Sequence, residues 1–179
     1  MPRLFPLPVV CFFLAASQAS GVVRLPSVLS DHAVLTRTTH VPIWGWADGD
    51  EEISIKLGDR SARTKATADG KWRVDLNLAD SPDGPFELEV TGTNKLVVKD
   101  VIIGEVWVAS GQSNMDWRLG QSPEAREEAA RPRDPLVRQF SVTQATALAP
   151  AEDCVGRWIV AAPDTVGEFT AVGYFFGRC

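Results

Sequence analysis

Between Ile53 and Val90 the chain alternates apolar and polar residues with a period of two, and this pattern leaves few folds open. Ile53, Ile55 and Leu57 alternate with Ser54 and Lys56; Trp72, Val74, Leu76 and Leu78 with Arg73, Asp75 and Asn77; Phe86, Leu88 and Val90 with Glu87 and Glu89. Successive side chains of a strand point to opposite faces, so such runs build sheets with one face buried and one in water. Asp48-Gly49-Asp50, Gly58-Asp59, Asp69-Gly70 and Pro82-Asp83-Gly84-Pro85 separate the runs with residues suited to tight turns. Short strands at this spacing predict a small antiparallel β-sandwich over residues 21–100.

After Asp100 the pattern changes. Val101, Ile102 and Ile103, then Val106, Trp107, Val108 and Ala109, are apolar almost without interruption. A strand with two apolar faces fits the interior of a parallel sheet covered by helices. Ser122-Pro123-Glu124 carries the signals of a helix start, with an N-cap, a proline at the first position and an acid in the first turn. The charges Glu124, Arg126, Glu127 and Glu128 that follow predict a solvated helix face. Leu136 to Val142 and Val155 to Val160 are expected strands, and Thr170 is positioned to cap a last helix over 171–178. Residues 101–179 are few for a sheet covered on both faces, so the expectation here is an incomplete α/β domain. The fold class is therefore mixed.

The N-terminus has the layout of a secretory signal over residues 1–19. Arg3 is followed by the apolar run from Val9 to Ala16, and Ser17-Gln18-Ala19 places small residues where a signal peptidase reads. The run is too short to span a bilayer as a helix, so no membrane span is expected and the protein is expected to be exported. A balance of 18 basic against 23 acidic residues, with no basic cluster interleaved with aromatics, argues against nucleic acid as a partner. Cys154 and Cys179 remain after the signal and are expected as free thiols; no Cys/His cluster suggests a metal, and no cofactor is implied.

The segment most suggestive of chemistry is Ser110-Gly111-Gln112-Ser113-Asn114-Met115, a polar turn after an apolar run. Presenting a serine at the end of a strand is one way hydrolases display a nucleophile, and backbone N–H groups around it can face an oxyanion. The pattern is not the G-x-S-x-G elbow, because Met115 stands where the second glycine would be. A serine in this position can equally be a strand-end hydroxyl that caps the next helix. A serine nucleophile needs a base, and no histidine follows Ser113. His32 and His40 both precede the alternating strands; His32 is expected to make a structural or interdomain hydrogen bond and His40 to lie in an exposed loop. Asp116 reads as a first-turn acid at a helix N-terminus.

The run from Gly104-Glu105-Val106-Trp107 through Ser110-Gly111-Gln112-Ser113-Asn114-Met115 resembles the nucleophile block of the sialate O-acetylesterase family, within the SGNH hydrolases. Leu29-Ser30-Asp31-His32-Ala33-Val34-Leu35, Val41-Pro42-Ile43-Trp44-Gly45-Trp46, and the stretch from Trp158 through Pro163-Asp164-Thr165 to Ala171-Val172-Gly173-Tyr174-Phe175-Phe176 are similar to other parts of that family, in family order. The resemblance implies a β-sandwich followed by the first part of an SGNH-type α/β domain, and an esterase that removes O-acetyl groups from sugars or glycans. It implies Ser113 as nucleophile, with its own N–H and Gln112 or Asn114 at the oxyanion. The family's Asp-x-x-His block, which supplies the base and its orienting acid, has no counterpart here. A second reading remains open: a non-catalytic glycan-binding module with a remnant hydrolase block, in which Trp44 and Trp46 stack on sugar rings rather than fill the core.

Overall fold

The computed structural model describes residues 22–178. They form nine strands and two short α-helices, with sheet dominating. The strands are β1 (Val34–Thr36), β2 (Val41–Trp46), β3 (Glu52–Leu57), β4 (Arg60–Lys65), β5 (Lys71–Leu76), β6 (Phe86–Thr91), β7 (Lys95–Gly104), β8 (Asp134–Val142) and β9 (Gly156–Ala161); the helices are α1 (Ala125–Ala129) and α2 (Ala171–Gly177).

β1, β7, β6, β3 and β4 make one sheet in that order, and β2 pairs with β5 in a second. The apolar positions of the alternating runs face each other. Ile53, Ile55, Leu57, Leu88 and Val90 from the first sheet share one core with Val41, Ile43, Trp72 and Leu76 from the second. All pairings in these sheets are antiparallel except one, β1 with β7, where Val34, Leu35 and Thr36 lie opposite Ile102, Ile103 and Gly104 in parallel register. That exception accounts for the doubly apolar run Val101 to Ile103, which is buried on both faces. The compositional break at Asp100 falls inside β7. Register shifts there against β6.

Beyond β7 the structure departs from expectation. Val106 to Ala109 forms no strand, and Val106, Trp107 and Val108 are 43%, 68% and 91% exposed. An apolar segment becomes a strand only when neighbours satisfy its N–H and C=O groups, and among the described residues none pairs with this one. The sheet in this half is the antiparallel pair β8–β9, so the parallel α/β layer is not formed by residues 105–178. A second, smaller core of Leu119, Ile159, Ala161, Val166, Phe169 and Tyr174 packs α2 against the hairpin.

The helix signals divide. Thr170 caps α2 as expected, its side chain accepting from the Gly173 N–H. Ser122 does not cap α1: that helix starts three residues later behind Glu124, and Ser122 instead ends a one-turn 3-10 helix over Leu119–Gln121. Nor is the charged face wholly solvated. Glu128 is 4% exposed, accepting from the Tyr174 hydroxyl at 3.0 Å and paired with Arg131 at 2.9 Å and with Arg178. The signal assigned to residues 1–19 lies outside the described residues, as does Cys179; Cys154 is exposed and unbridged.

Candidate active site

Ser113 opens a single 3-10 turn, Ser113–Met115, preceded by Gln112 in extended conformation. The turn is closed by backbone bonds from Met115 N–H to Gln112 O (2.8 Å) and from Asp116 N–H to Ser113 O (3.1 Å). A Cβ on Gly111 would lie 2.7 Å from Met115 Cγ, so the methionine side chain would have to shift to admit one. Gln112, Ser113 and Asn114 are all exposed. Asp116 therefore sits at the C-terminal end of the turn, not in the first turn of a helix, and its carboxylate accepts from Gln144 Nε2 at 3.1 Å.

The turn is held from one side by α2. Ala171 N–H donates to Trp117 O (2.8 Å) and Leu119 N–H to Phe169 O (2.8 Å), while Trp107 meets Phe176 edge to face at 5.3 Å. A Cβ on Gly173 would lie 3.6 Å from that of Ala109. The start of α2 is itself anchored to β8, where Gln139 Oε1 accepts from the Thr170 N–H at 3.0 Å. Nothing in the sequence marks Gln139 as important. It is one polar residue of a strand, and its role depends on a partner 31 residues away.

The two histidines are occupied elsewhere. His32 Nδ1 lies 2.6 Å from Asp100 Oδ2, and Asp100 Oδ1 accepts from Arg138 Nη2 at 3.0 Å. This cluster joins the segment before β1, strand β7 and strand β8: His32 makes a structural bond to Asp100 on β7, and it is Arg138 that carries the link to the second half of the chain. Both His32 and Asp100 have positive φ, 70° and 54°, a conformation uncommon outside glycine, asparagine and aspartate. Burial opposes ionisation of Asp100, but the hydrogen bonds from His32 and Arg138 outweigh it and hold the carboxyl below its ordinary value. The Arg138 side chain is only 1% exposed and also donates to the Asp100 carbonyl. His40 is exposed, with Nδ1 2.8 Å from Thr39 Oγ1. Among the described residues the Ser113 hydroxyl has no histidine or carboxylate partner, and no group of three or more His, Cys, Asp and Glu could hold a metal.

A serine at an exposed turn is chemically ambiguous by itself. No protein-family model matches the chain. It is 30% identical to the sialate O-acetylesterase of Rattus norvegicus over 203 residues, which covers 99% of this chain and 36% of the rat protein. Against the sialate O-acetylesterase of Homo sapiens it is 28% identical over 192 residues, covering 95% and 36% of the two chains. The crystal structure of a carbohydrate acetylesterase from Xanthomonas citri superposes with a TM-score of 0.84 at 40% identity, over 88% of this chain and 37% of that one.

The chain belongs to the sialate O-acetylesterase family. The relatives are named as O-acetylesterases and a carbohydrate acetylesterase, that is, carboxylic ester hydrolases, and the chain spans little more than a third of their length. In this member of the sialate O-acetylesterase family, Trp44 and Trp46 are half-buried. Both project from β2 on the side opposite Val41 and Ile43, while Gly45 between them lies flat against the Arg24 backbone and the Trp72 ring. Trp44 packs against the core, and Trp46 has the Arg24 guanidinium 5.4 Å over its ring. A sugar stacking on that face of Trp46 would have to displace Arg24.

No helix among the described residues is long and apolar enough to cross a membrane.

Proposed function

We infer that this chain carries the nucleophile portion of a serine esterase that removes O-acetyl groups from carbohydrates, of the sialate O-acetylesterase type. The observation that carries the reading is an exposed serine at a tight turn, in a chain 40% identical to a carbohydrate acetylesterase whose fold it shares at a TM-score of 0.84. In this reading the two sheets of residues 22–104 form a β-sandwich, and the residues after them open an SGNH-type α/β domain. Residues 1–19 direct export.

Ser113 Oγ attacks the acetyl carbonyl, the sugar hydroxyl leaves, and water then releases acetate from the acyl-serine. In this reading the Ser113 N–H, with Gln112 or Asn114, donates to the oxyanion; the exposed start of the 3-10 turn at Ser113 supports it. A general base must take the serine proton. With His32 bonded to Asp100 and His40 beside Thr39, that base is not among residues 22–178. Loss of a triad member costs several orders of magnitude, so turnover by this chain alone is expected to fall at least about a thousandfold below that of the Xanthomonas enzyme.

The test is acetate release from an O-acetylated sialoside and from an activated acetyl ester, by this chain and by Ser113→Ala. Residual hydrolysis should vanish in the variant with the unfolding midpoint unchanged. Hydrolysis equal in both proteins would remove Ser113 from the chemistry.

A further inference from the structure

A cleft of about 450 Å³ opens where β8 and β9 meet the 3-10 turn over Val166–Glu168, a volume in the range of small-molecule sites. Arg118, Arg157 and Glu168 line it with Ser141 and Thr143, and Ile159 adds an apolar contact. Glu168 stands between the two guanidinium groups: its carboxylate accepts from Arg157 Nη2, and its carbonyl accepts from Arg118 Nη1 at 2.7 Å. Much of this polar set is unused. The second Glu168 carboxylate oxygen, the Nε and Nη1 donors of Arg157 and the hydroxyls of Ser141 and Thr143 have no partner among the described residues. Free donors and free acceptors side by side match a ligand whose groups both donate and accept, as hydroxyls do.

The cleft adjoins the Ser113 turn. Asp116, whose N–H closes that turn on the Ser113 carbonyl, has its carboxylate 3.5 Å from Arg118 Nη2. The same carboxylate accepts from Gln144, the neighbour of Thr143. The charges also balance, since two arginines face two carboxylates, Glu168 and Asp116. A carboxylate entering here would have to compete with Glu168 for Arg157, whereas a neutral pair of hydroxyls can bond to both without separating them. We propose that this cleft seats a neutral sugar ring of the substrate, gripping two neighbouring hydroxyls between Arg157 and Glu168, and that it selects such a ring over a carboxylate-bearing sugar such as sialate. The proposal narrows the substrate class of the esterase reading and rests on that reading for its purpose; the binding itself does not depend on Ser113.

The experiment titrates this chain with the methyl glycosides of glucose, galactose and xylose, and with the methyl glycoside of N-acetylneuraminate, following the arginine Nε–H signals by nuclear magnetic resonance. None of these probes carries an O-acetyl group, so binding is read apart from hydrolysis. At least one neutral glycoside should shift the Arg118 and Arg157 signals saturably, at least about tenfold more tightly than the neuraminate, as expected for a hydrogen bond to a charged group. Arg157→Lys keeps the charge but loses the planar fork, and should weaken neutral binding about tenfold. Glu168→Gln leaves the cleft net positive, so the preference should reverse toward the neuraminate. Its unfolding midpoint should stay unchanged, because the Arg157 and Glu168 side chains are 68% and 47% exposed and such pairs add little stability.

Tighter binding of the neuraminate by the wild-type chain would overturn the proposal, as would the absence of any arginine shift with every neutral glycoside. So would a preference that Glu168→Gln leaves in place, since a merely structural ion pair predicts no reversal. Neutral binding as expected, with no acetate released from O-acetylated sugars, would uphold the cleft and count against the role given to Ser113. Acetate release that Ser113→Ala abolishes, with no sugar bound at Arg157, would uphold the esterase reading and overturn the cleft.

Discussion

Replacing Asp100 with asparagine isolates the electrostatics that join the two halves of the chain. Asparagine is nearly the same shape and tolerates the positive φ of 54° at this position, so the backbone is not the variable. What changes is the charge facing Arg138, whose side chain is 1% exposed. Leaving one member of a buried pair uncompensated costs about 3–5 kcal/mol. Two features reduce that figure here. Arg138 keeps the carbonyls of Asp100 and Pro135 as acceptors, and the asparagine oxygen still accepts one neutral bond. The expected loss is therefore about 2 kcal/mol, which moves a urea midpoint by roughly 1 M for a protein of this size.

The pH dependence gives a second check. Because the folded carboxyl lies below its ordinary value near 3.8, its contribution is complete above that value and is lost as pH falls through the lower folded one. The gap between wild type and Asp100→Asn should be full at pH 7 and close in acid. Urea melts followed by tryptophan fluorescence at both pH values measure it. A midpoint within about 0.2 M of wild type at pH 7, or a gap that persists unchanged into acid, would refute the reasoning.

Two further outcomes follow from other parts of the molecule. Glu128→Gln leaves Arg131 and Arg178 uncompensated around a side chain that is 4% exposed; a loss of about 1–2 kcal/mol, or roughly 4 °C in Tm, is expected by calorimetry. Burial works against ionisation of Glu128, but bonds from Arg178 and Tyr174 hold its carboxyl below the usual range, so this difference too should shrink as pH falls through that carboxyl's titration. Gly45→Ala places a Cβ 2.1 Å from the Arg24 carbonyl and 2.9 Å from the Trp72 ring. That carbonyl is backbone, bonded to the Trp46 N–H, and cannot swing away, so a loss of at least about 2 kcal/mol in urea melts is expected; unchanged stability would mean the two strands can separate freely.

Much of this protein could be read before its structure was known, and what could be read is local. Alternation placed β3, β5 and β6 because one-sided burial is encoded residue by residue in a strand. The cap at Thr170 and the turn at Ser113 were likewise visible, since each depends on a few adjacent residues. Strand β4, Arg60–Lys65, has no such signature; it is a charged edge strand that exists because β3 pairs with it. The parallel pairing of β1 with β7 joins residues 68 apart in sequence, and no local pattern announces it.

The same division runs through the candidate site. Sequence named Ser113, Gln112 and Asn114, but it took Glu128 for a solvated charge and Val106 to Ala109 for a buried strand. Glu128 is buried because Tyr174 and Arg178 fold back over it from 46 and 50 residues away. Val106 to Val108 remain exposed because apolarity creates only a demand for cover, and the tertiary structure decides whether cover is present. Residue types and their spacing thus fixed the chemistry this chain can offer. Which side chains are buried, paired or left open was decided by long-range contacts, because burial and hydrogen bonding belong to pairs of segments and not to either one alone.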